Sequence, residues 1–182
     1  MDEIAVRGAV RDARKGIAQY QWLMRSLHKV DVRTSAEFQK RYNSFYKVRQ
    51  RSADWYSTYY GLLEACKDTG ADFAEILDTL WDELGRYEPS FSSKLVATID
   101  PTKPVWDQFV LKNIGLRAPS YTSAGKKEEA KTVYGQICDW YSIRLACADG
   151  RRIVEIFGEE VPEDDEITDL KKLDFVLWQT RA

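Results

Sequence analysis

Apolar residues recur every three or four positions along most of this chain, and glycine, proline and capping residues separate the runs. This spacing places the apolar side chains on one face of a helix. The first run predicts a helix over about 4–27, with the inward positions Val6, Val10, Ile17, Tyr20, Met24 and Leu27. No stretch alternates apolar and polar residues in the way of a strand. The sequence therefore predicts an all-α protein.

Seven or eight helices are expected, several of them short, in a single compact domain spanning residues 1–182. Thr34 followed by Glu37 forms a capping-box pattern that predicts a helix start near Ser35. The expected helices cover about 4–27, 35–67, 72–84, 91–99, 105–114, 127–146, 151–157 and 167–178, and a new cap at 52–54 would divide the second. The loop-like stretch 117–126 is the one internal boundary that the composition suggests.

Composition limits the classes of function. With 44% hydrophobic and 31% charged residues the chain is typical of globular proteins. No apolar run approaches the roughly 20 residues that cross a bilayer, and the acidic N-terminus has no signal-peptide pattern. We therefore expect a cytoplasmic protein without membrane association.

Metal and cofactor motifs are absent from the sequence. Cys66, Cys138 and Cys147 form no CxxC pair, and His28 is the only histidine. There is also no phosphate-binding loop, dinucleotide fingerprint or HExxH motif. We expect neither a metal ion nor a cofactor.

Charge is distributed unevenly along the chain. Residues 1–60 contain twelve Lys/Arg and six Asp/Glu, a net charge of +6, whereas residues 149–182 contain five and ten, a net charge of −5. The folded protein then has a basic side, provided that the two ends do not cover each other.

The stretch 38–60 interleaves five basic residues with eight aromatic ones. Basic side chains neutralise phosphates and aromatic faces stack on exposed bases, so this composition suits nucleic acid. The candidate phosphate-binding residues are Lys40, Arg41, Lys47 and Arg49. In one alternative the aromatic residues form the core and the basic residues face water, and in another the aromatic residues bind a protein partner.

Residues 81–116 carry a second candidate site. A helix, a tight turn, a short helix, a proline-rich break and a helix opening with Asp follow in order. This order resembles the helix-hairpin-helix DNA glycosylases, whose hairpin G-hydrophobic-G-x-K-x-A precedes a Pro-Val-Asp signature. The corresponding residues are 90–96 and 104–107, followed by Val110, Lys112 and 114–116. Serine replaces both hairpin glycines here, and Trp106 is inserted before Asp107.

The resemblance implies a hydrolase of N-glycosyl bonds that excises an altered or mispaired base from double-stranded DNA. It assigns Asp107 to stabilising the cationic sugar, as carboxylates do in glycoside cleavage, after the nucleotide has been flipped out. Lys94 matches the family's Schiff-base lysine. The hairpin would contact phosphates through the helix N-terminus and the hydroxyls of Ser90, Ser92 and Ser93.

Simpler roles remain open for these residues. Asp107 is also typical of a helix cap, and Lys94 of a solvated side chain or a phosphate contact. The missing glycines and the short separation of 13 residues between Lys94 and Asp107 favour a non-enzymatic helical module that binds DNA or protein.

Overall fold

Side-chain caps determine where several of the helices begin. The computed structural model describes residues 1–163 and 166–180. Ser52 accepts a hydrogen bond from the Trp55 amide and Asp72 accepts from the amides of residues 74 and 75. Ser35 and Thr168 cap two further helices in the same way. Each cap satisfies an amide that has no partner within the helix.

The described residues form nine helices, and the prediction of an all-α protein is confirmed. The helices are α1 Glu3–Leu27, α2 Ala36–Phe45, α3 Ala53–Cys66, α4 Phe73–Leu84, α5 Pro89–Ile99, α6 Gln108–Asn113, α7 Lys126–Ala146, α8 Ala148–Glu160 and α9 Asp169–Gln179. The predicted number of seven or eight is wrong for this part of the chain, because the segment 35–67 forms two helices with a connection between them.

Three predicted boundaries are corrected. Ser35, and not Thr34, caps α2. Helix α6 begins at Gln108 instead of Val105, because the Asp107 side chain caps it. Helix α8 extends beyond the predicted 151–157 at both ends, since Cys147 ends α7 and also precedes the first residue of α8.

The chain divides into two compact units. The middle unit is Gly16–Asp100, and the terminal unit combines Met1–Lys15 with Pro101–Ala182. Helix α1 contributes residues to both units, and the loop 117–126 lies within the terminal unit. The single-domain organisation stays a prediction.

Aromatic side chains fill the core of the middle unit. The rings of Trp55 and Tyr59 stack with centroids 4.6 Å apart. The Tyr42 and Tyr59 hydroxyls are 2.8 Å apart, and Tyr59 also donates to the Phe91 carbonyl. Burial raises the pKa of both phenols well above the usual value. The aromatic core is therefore a neutral, hydrogen-bonded one.

The core of the terminal unit contains a buried ion pair. Lys171 Nζ lies 2.6 Å from Asp174 Oδ2, and the Tyr141 hydroxyl donates to Asp174 Oδ1 at 2.8 Å. The side chains of Lys171 and Asp174 are 3% and 0% exposed. Lys171 and Tyr141 together offset part of the free-energy cost of removing the Asp174 carboxylate from water. The bond from Tyr141 also fixes how α9 packs against α7.

Candidate functional site

The serines of the proposed hairpin lie inside a helix. Ser90, Ser92 and Ser93 occupy the first turns of α5, so the assignment of 90–96 to the hairpin is wrong, and the turn between α4 and α5 lies at residues 85–88. Ser92 and Ser93 are fully buried. Their hydroxyls donate to the carbonyls of Glu88 and Ser90 at 3.0 and 2.9 Å. Neither hydroxyl is accessible to a DNA phosphate in this conformation.

Lys94 is enclosed by residues of its own helix. Lys94 is 8% exposed. Its ammonium donates to Ser90 Oγ at 2.7 Å and lies 4.8 Å from the centroid of the Phe91 ring. These contacts hold the amine beside α5 instead of presenting it to solvent as a free nucleophile.

A buried ion pair next to Lys94 was not singled out by the sequence analysis. Arg51 Nη1 lies 2.9 Å from Glu88 Oε1, and Glu88 is 8% exposed. The Arg51 guanidinium also lies 4.7 Å from the Phe91 ring centroid. Burial raises the pKa of Glu88, and the charge of Arg51 opposes this rise. The pair attaches the connection between α2 and α3 to the start of α5.

One feature of the sequence could have indicated a functional role for Glu88. An acid directly before Pro89 is favoured by the N-terminus of the helix that this proline begins. The partner Arg51, however, is one of five basic residues in 38–60, and spacing alone does not distinguish it from the others.

Asp107 is the N-cap of α6. Its Oδ1 accepts a hydrogen bond from the Phe109 amide at 2.8 Å, and the residue is half-buried. The simpler role considered for Asp107, a helix cap, is therefore present in the structure. Asp107 belongs to the terminal unit and Lys94 to the middle unit.

Seven of the eight aromatic residues of 38–60 are buried, and Tyr56 is half-buried. The alternative in which they form the core is confirmed. The buried residues are Phe38, Tyr42, Phe45, Tyr46, Trp55, Tyr59 and Tyr60. The ring faces of these seven residues are enclosed in the core and are not open for stacking on bases.

Three of the candidate phosphate-binding residues are exposed. Lys40 lies on α2, and Lys47 and Arg49 lie in the connection to α3. We call these three residues the basic loop. The fourth candidate, Arg41, is paired with Glu37 at 2.8 Å and lies 4.1 Å from the Trp22 ring centroid. Its guanidinium is therefore engaged within the protein.

No acidic residue interrupts the basic loop. The nearest acids along the chain are Glu37 and Asp54, so residues 38–53 contain five cations and no anion. Arg41 and Arg51 are neutralised by ion pairs to Glu37 and Glu88. Among the described residues, this leaves the side chains of the basic loop as unneutralised positive charge.

Lys47 has a left-handed backbone conformation, with φ of 57°. The Val48 amide donates to the Asn43 carbonyl at 2.9 Å, which is the closing hydrogen bond of a Schellman motif after α2. The same bond joins Leu116 to Leu111 after α6, and there the left-handed residue is Gly115 with φ of 75°. A lysine thus occupies a position at which glycine is the usual residue.

Three arginines of α1 contact the acidic end of α8. Arg7 and Arg11 lie 2.9 and 3.1 Å from Glu160, Arg7 also pairs with Glu159, and Arg14 donates to the Glu160 carbonyl. The guanidiniums lower the pKa of Glu160. The oppositely charged ends therefore contact each other here, and the charges of Arg7 and Arg11 are neutralised. Of the acidic stretch 149–182, residues 164, 165, 181 and 182 lie outside the described residues.

Within the described residues, no three His, Cys, Asp or Glu side chains are grouped as metal ligands. His28 pairs with Asp68 at 3.0 Å on the surface. In the same part of the chain, no helix has both the length and the apolarity required to span a bilayer.

Comparison with known proteins returned no family model, curated protein or solved structure that matches this chain significantly.

Proposed function

We propose that this protein is a non-enzymatic helical module that binds the phosphate backbone of double-stranded DNA through the basic loop. One observation carries the proposal: Lys40, Lys47 and Arg49 are exposed in a stretch whose other cations are already paired and which contains no acid. Unneutralised cations attract the phosphates of nucleic acid, and binding releases condensed counterions.

The binding mode follows from the burial of the aromatic residues. Bases are read through groove contacts or by stacking, and the rings of 38–60 are used in the core instead. Phosphate contacts alone carry no sequence information. The proposed interaction is therefore independent of DNA sequence and sensitive to salt.

The conformation of Lys47 supports the same proposal. A non-glycine residue in the left-handed region costs about 1–2 kcal/mol. Unfavourable backbone conformations are concentrated at functional sites, where the side chain is needed. Lysine at this position places a positive charge at the end of α2, although glycine would adopt the same backbone conformation with less strain.

Base excision stays a prediction from the resemblance, and the positions of its two candidate residues favour the non-enzymatic alternative. Asp107 caps α6 and Lys94 is bonded to Ser90. Incubation with duplexes carrying damaged or mispaired bases, followed by detection of abasic sites, tests the enzymatic function. We expect no base release. Release that is lost in Asp107→Asn, a change that preserves a capping side chain, would instead establish a glycosylase.

Binding is tested by fluorescence anisotropy with a short labelled duplex at low salt. The variant Lys40→Gln/Lys47→Gln/Arg49→Gln removes the charge of the basic loop. The matched control, Lys15→Gln/Lys29→Gln/Arg117→Gln, removes three exposed cations elsewhere. We expect the first variant to lose most of the affinity and the control to keep it. Equal losses in both would show a dependence on net charge alone and contradict the assignment to the basic loop.

A further inference from the structure

The terminal unit has an open concavity of about 720 Å³. The buried side chains of Ile153, Leu173 and Leu177, from α8 and α9, form its apolar floor. Trp140 and Arg144 line it from α7. These two residues are four positions apart and therefore lie on the same face of α7.

The concavity has the size and lining of a small-molecule site. Sites for such ligands measure about 300–1,000 Å³ and combine apolar walls with few polar groups. Arg144 is the one charged side chain among the described residues that line it. The neighbouring Asn113 side-chain amide donates to the carbonyls of Leu177 and Thr180, so it joins the end of α6 to the end of α9 beside the concavity.

The guanidinium of Arg144 is only weakly engaged. Its nearest acid is Asp149, at 3.4 Å, and the Asp149 side chain is 65% exposed. A surface pair at this distance contributes little, because water screens it. A carboxylate that approaches from the apolar side meets the same guanidinium with less competition from solvent, and can accept two parallel hydrogen bonds from it.

We propose that this concavity binds a small amphipathic carboxylate, with the carboxylate on Arg144 and the apolar chain on Leu173 and Leu177 beside Trp140. The combination of an apolar floor with the positive charge of Arg144 selects this class over neutral lipids and over strongly hydrophilic anions. The site lies within the terminal unit and does not depend on the basic loop.

Isothermal titration calorimetry with octanoate tests the proposal, and octanamide serves as the uncharged probe of the same chain length. We expect octanoate to bind and octanamide to bind at least about tenfold more weakly, since a hydrogen-bonded charge is lost. Arg144→Gln should reduce octanoate affinity by a similar factor. Arg144→Lys should bind with intermediate affinity, because lysine lacks the two-pronged donor geometry.

Asp149→Asn is the second informative variant. Removing the competing acid should strengthen octanoate binding without disturbing the apolar floor. Circular dichroism of each variant checks that the fold is kept. Equal affinity for octanoate and octanamide, or an Arg144→Gln variant that binds octanoate like the wild type, would overturn the proposal. No octanoate binding by the folded wild-type protein would also overturn it.

Discussion

Lys47 combines two properties that rarely occur together, a left-handed backbone and an exposed charge. Lys47→Gly removes both. We expect the free energy of unfolding to rise by about 1 kcal/mol, because glycine adopts this conformation without strain but is more flexible when unfolded. Affinity for DNA should fall at the same time. Urea denaturation and fluorescence anisotropy measure the two effects.

Gln50 provides the matched control, since its φ of 55° is also positive and its side chain is uncharged. Gln50→Gly should stabilise the protein by a similar amount and leave DNA affinity unchanged. If Lys47→Gly and Gln50→Gly weaken binding equally, the loss comes from loop flexibility, and the phosphate contact assigned to Lys47 is wrong.

Glu88 should make stability depend on pH. Burial raises its pKa above the ordinary value of 4.5, although Arg51 and other cations oppose the rise. The folded state then binds the proton more tightly than the unfolded state. The contribution of this group is fully present below the ordinary pKa and is lost as pH rises through the raised pKa.

The comparison with Glu88→Gln isolates this effect, because glutamine keeps the shape without titrating. Urea denaturation between about pH 4 and about pH 7 should show the wild type losing stability relative to the variant as pH rises. A relative gain of the wild type over the same range would mean that the attraction of Arg51 outweighs burial.

At the scale of helices, the tight junction between α7 and α8 depends on Gly150. A Cβ at this residue would lie 1.8 Å from the Arg144 carbonyl oxygen, and backbone cannot move away as a flexible side chain can. Gly150→Ala should therefore lower the free energy of unfolding by roughly 2 kcal/mol or more. Thermal and urea denaturation followed by circular dichroism provide the measurement.

Gly135, in the middle of α7, provides the opposite case. Nothing lies within 4 Å of a Cβ built there. Gly135→Ala should stabilise the protein by about 0.5–1 kcal/mol, since alanine has the higher helix propensity. Destabilisation by Gly135→Ala, or tolerance of Gly150→Ala, would contradict the packing of these helices.

Helices with strong local signals could be predicted from the sequence. Helix α4 has a capping Asp72 and a terminal Gly85 with φ of 63°, and its predicted extent of 72–84 differs from the structure by the cap residue alone. The break at Ser52 was likewise indicated by a capping side chain. In these segments the capping and breaking residues agree with the apolar periodicity, so local information is sufficient.

Where two local signals compete, the sequence did not show which one prevails. A helix was expected directly after the breaker Pro104, but the Asp107 cap places its start at Gln108. The family resemblance implied a hairpin at 90–96, but Ser92 and Ser93 donate to carbonyls four and three residues earlier and are part of α5. No proline or glycine at Cys147 marks the junction between α7 and α8. This junction depends on the close approach of Gly150 to the Arg144 carbonyl oxygen.

At the scale of the whole molecule, counting charges along the sequence gave the wrong location for the open positive charge. The net charge of +6 over residues 1–60 includes Arg7 and Arg11, which pair with Glu160. Pairs between residues about 150 positions apart depend on tertiary structure, and no local pattern reveals them. Within the narrower stretch 38–60, Arg41 and Arg51 are paired with Glu37 and Glu88, and the remaining cations are those of the basic loop.

The slope of the logarithm of the DNA association constant against the logarithm of salt concentration tests the central claim most directly. Three phosphate contacts predict a slope of about −2.7, or about a 40-fold loss of affinity between about 50 and about 200 mM salt. In Lys40→Gln/Lys47→Gln/Arg49→Gln the slope should fall close to zero. A steep slope that this variant retains, or wild-type protein that does not bind DNA at low salt, would contradict the account.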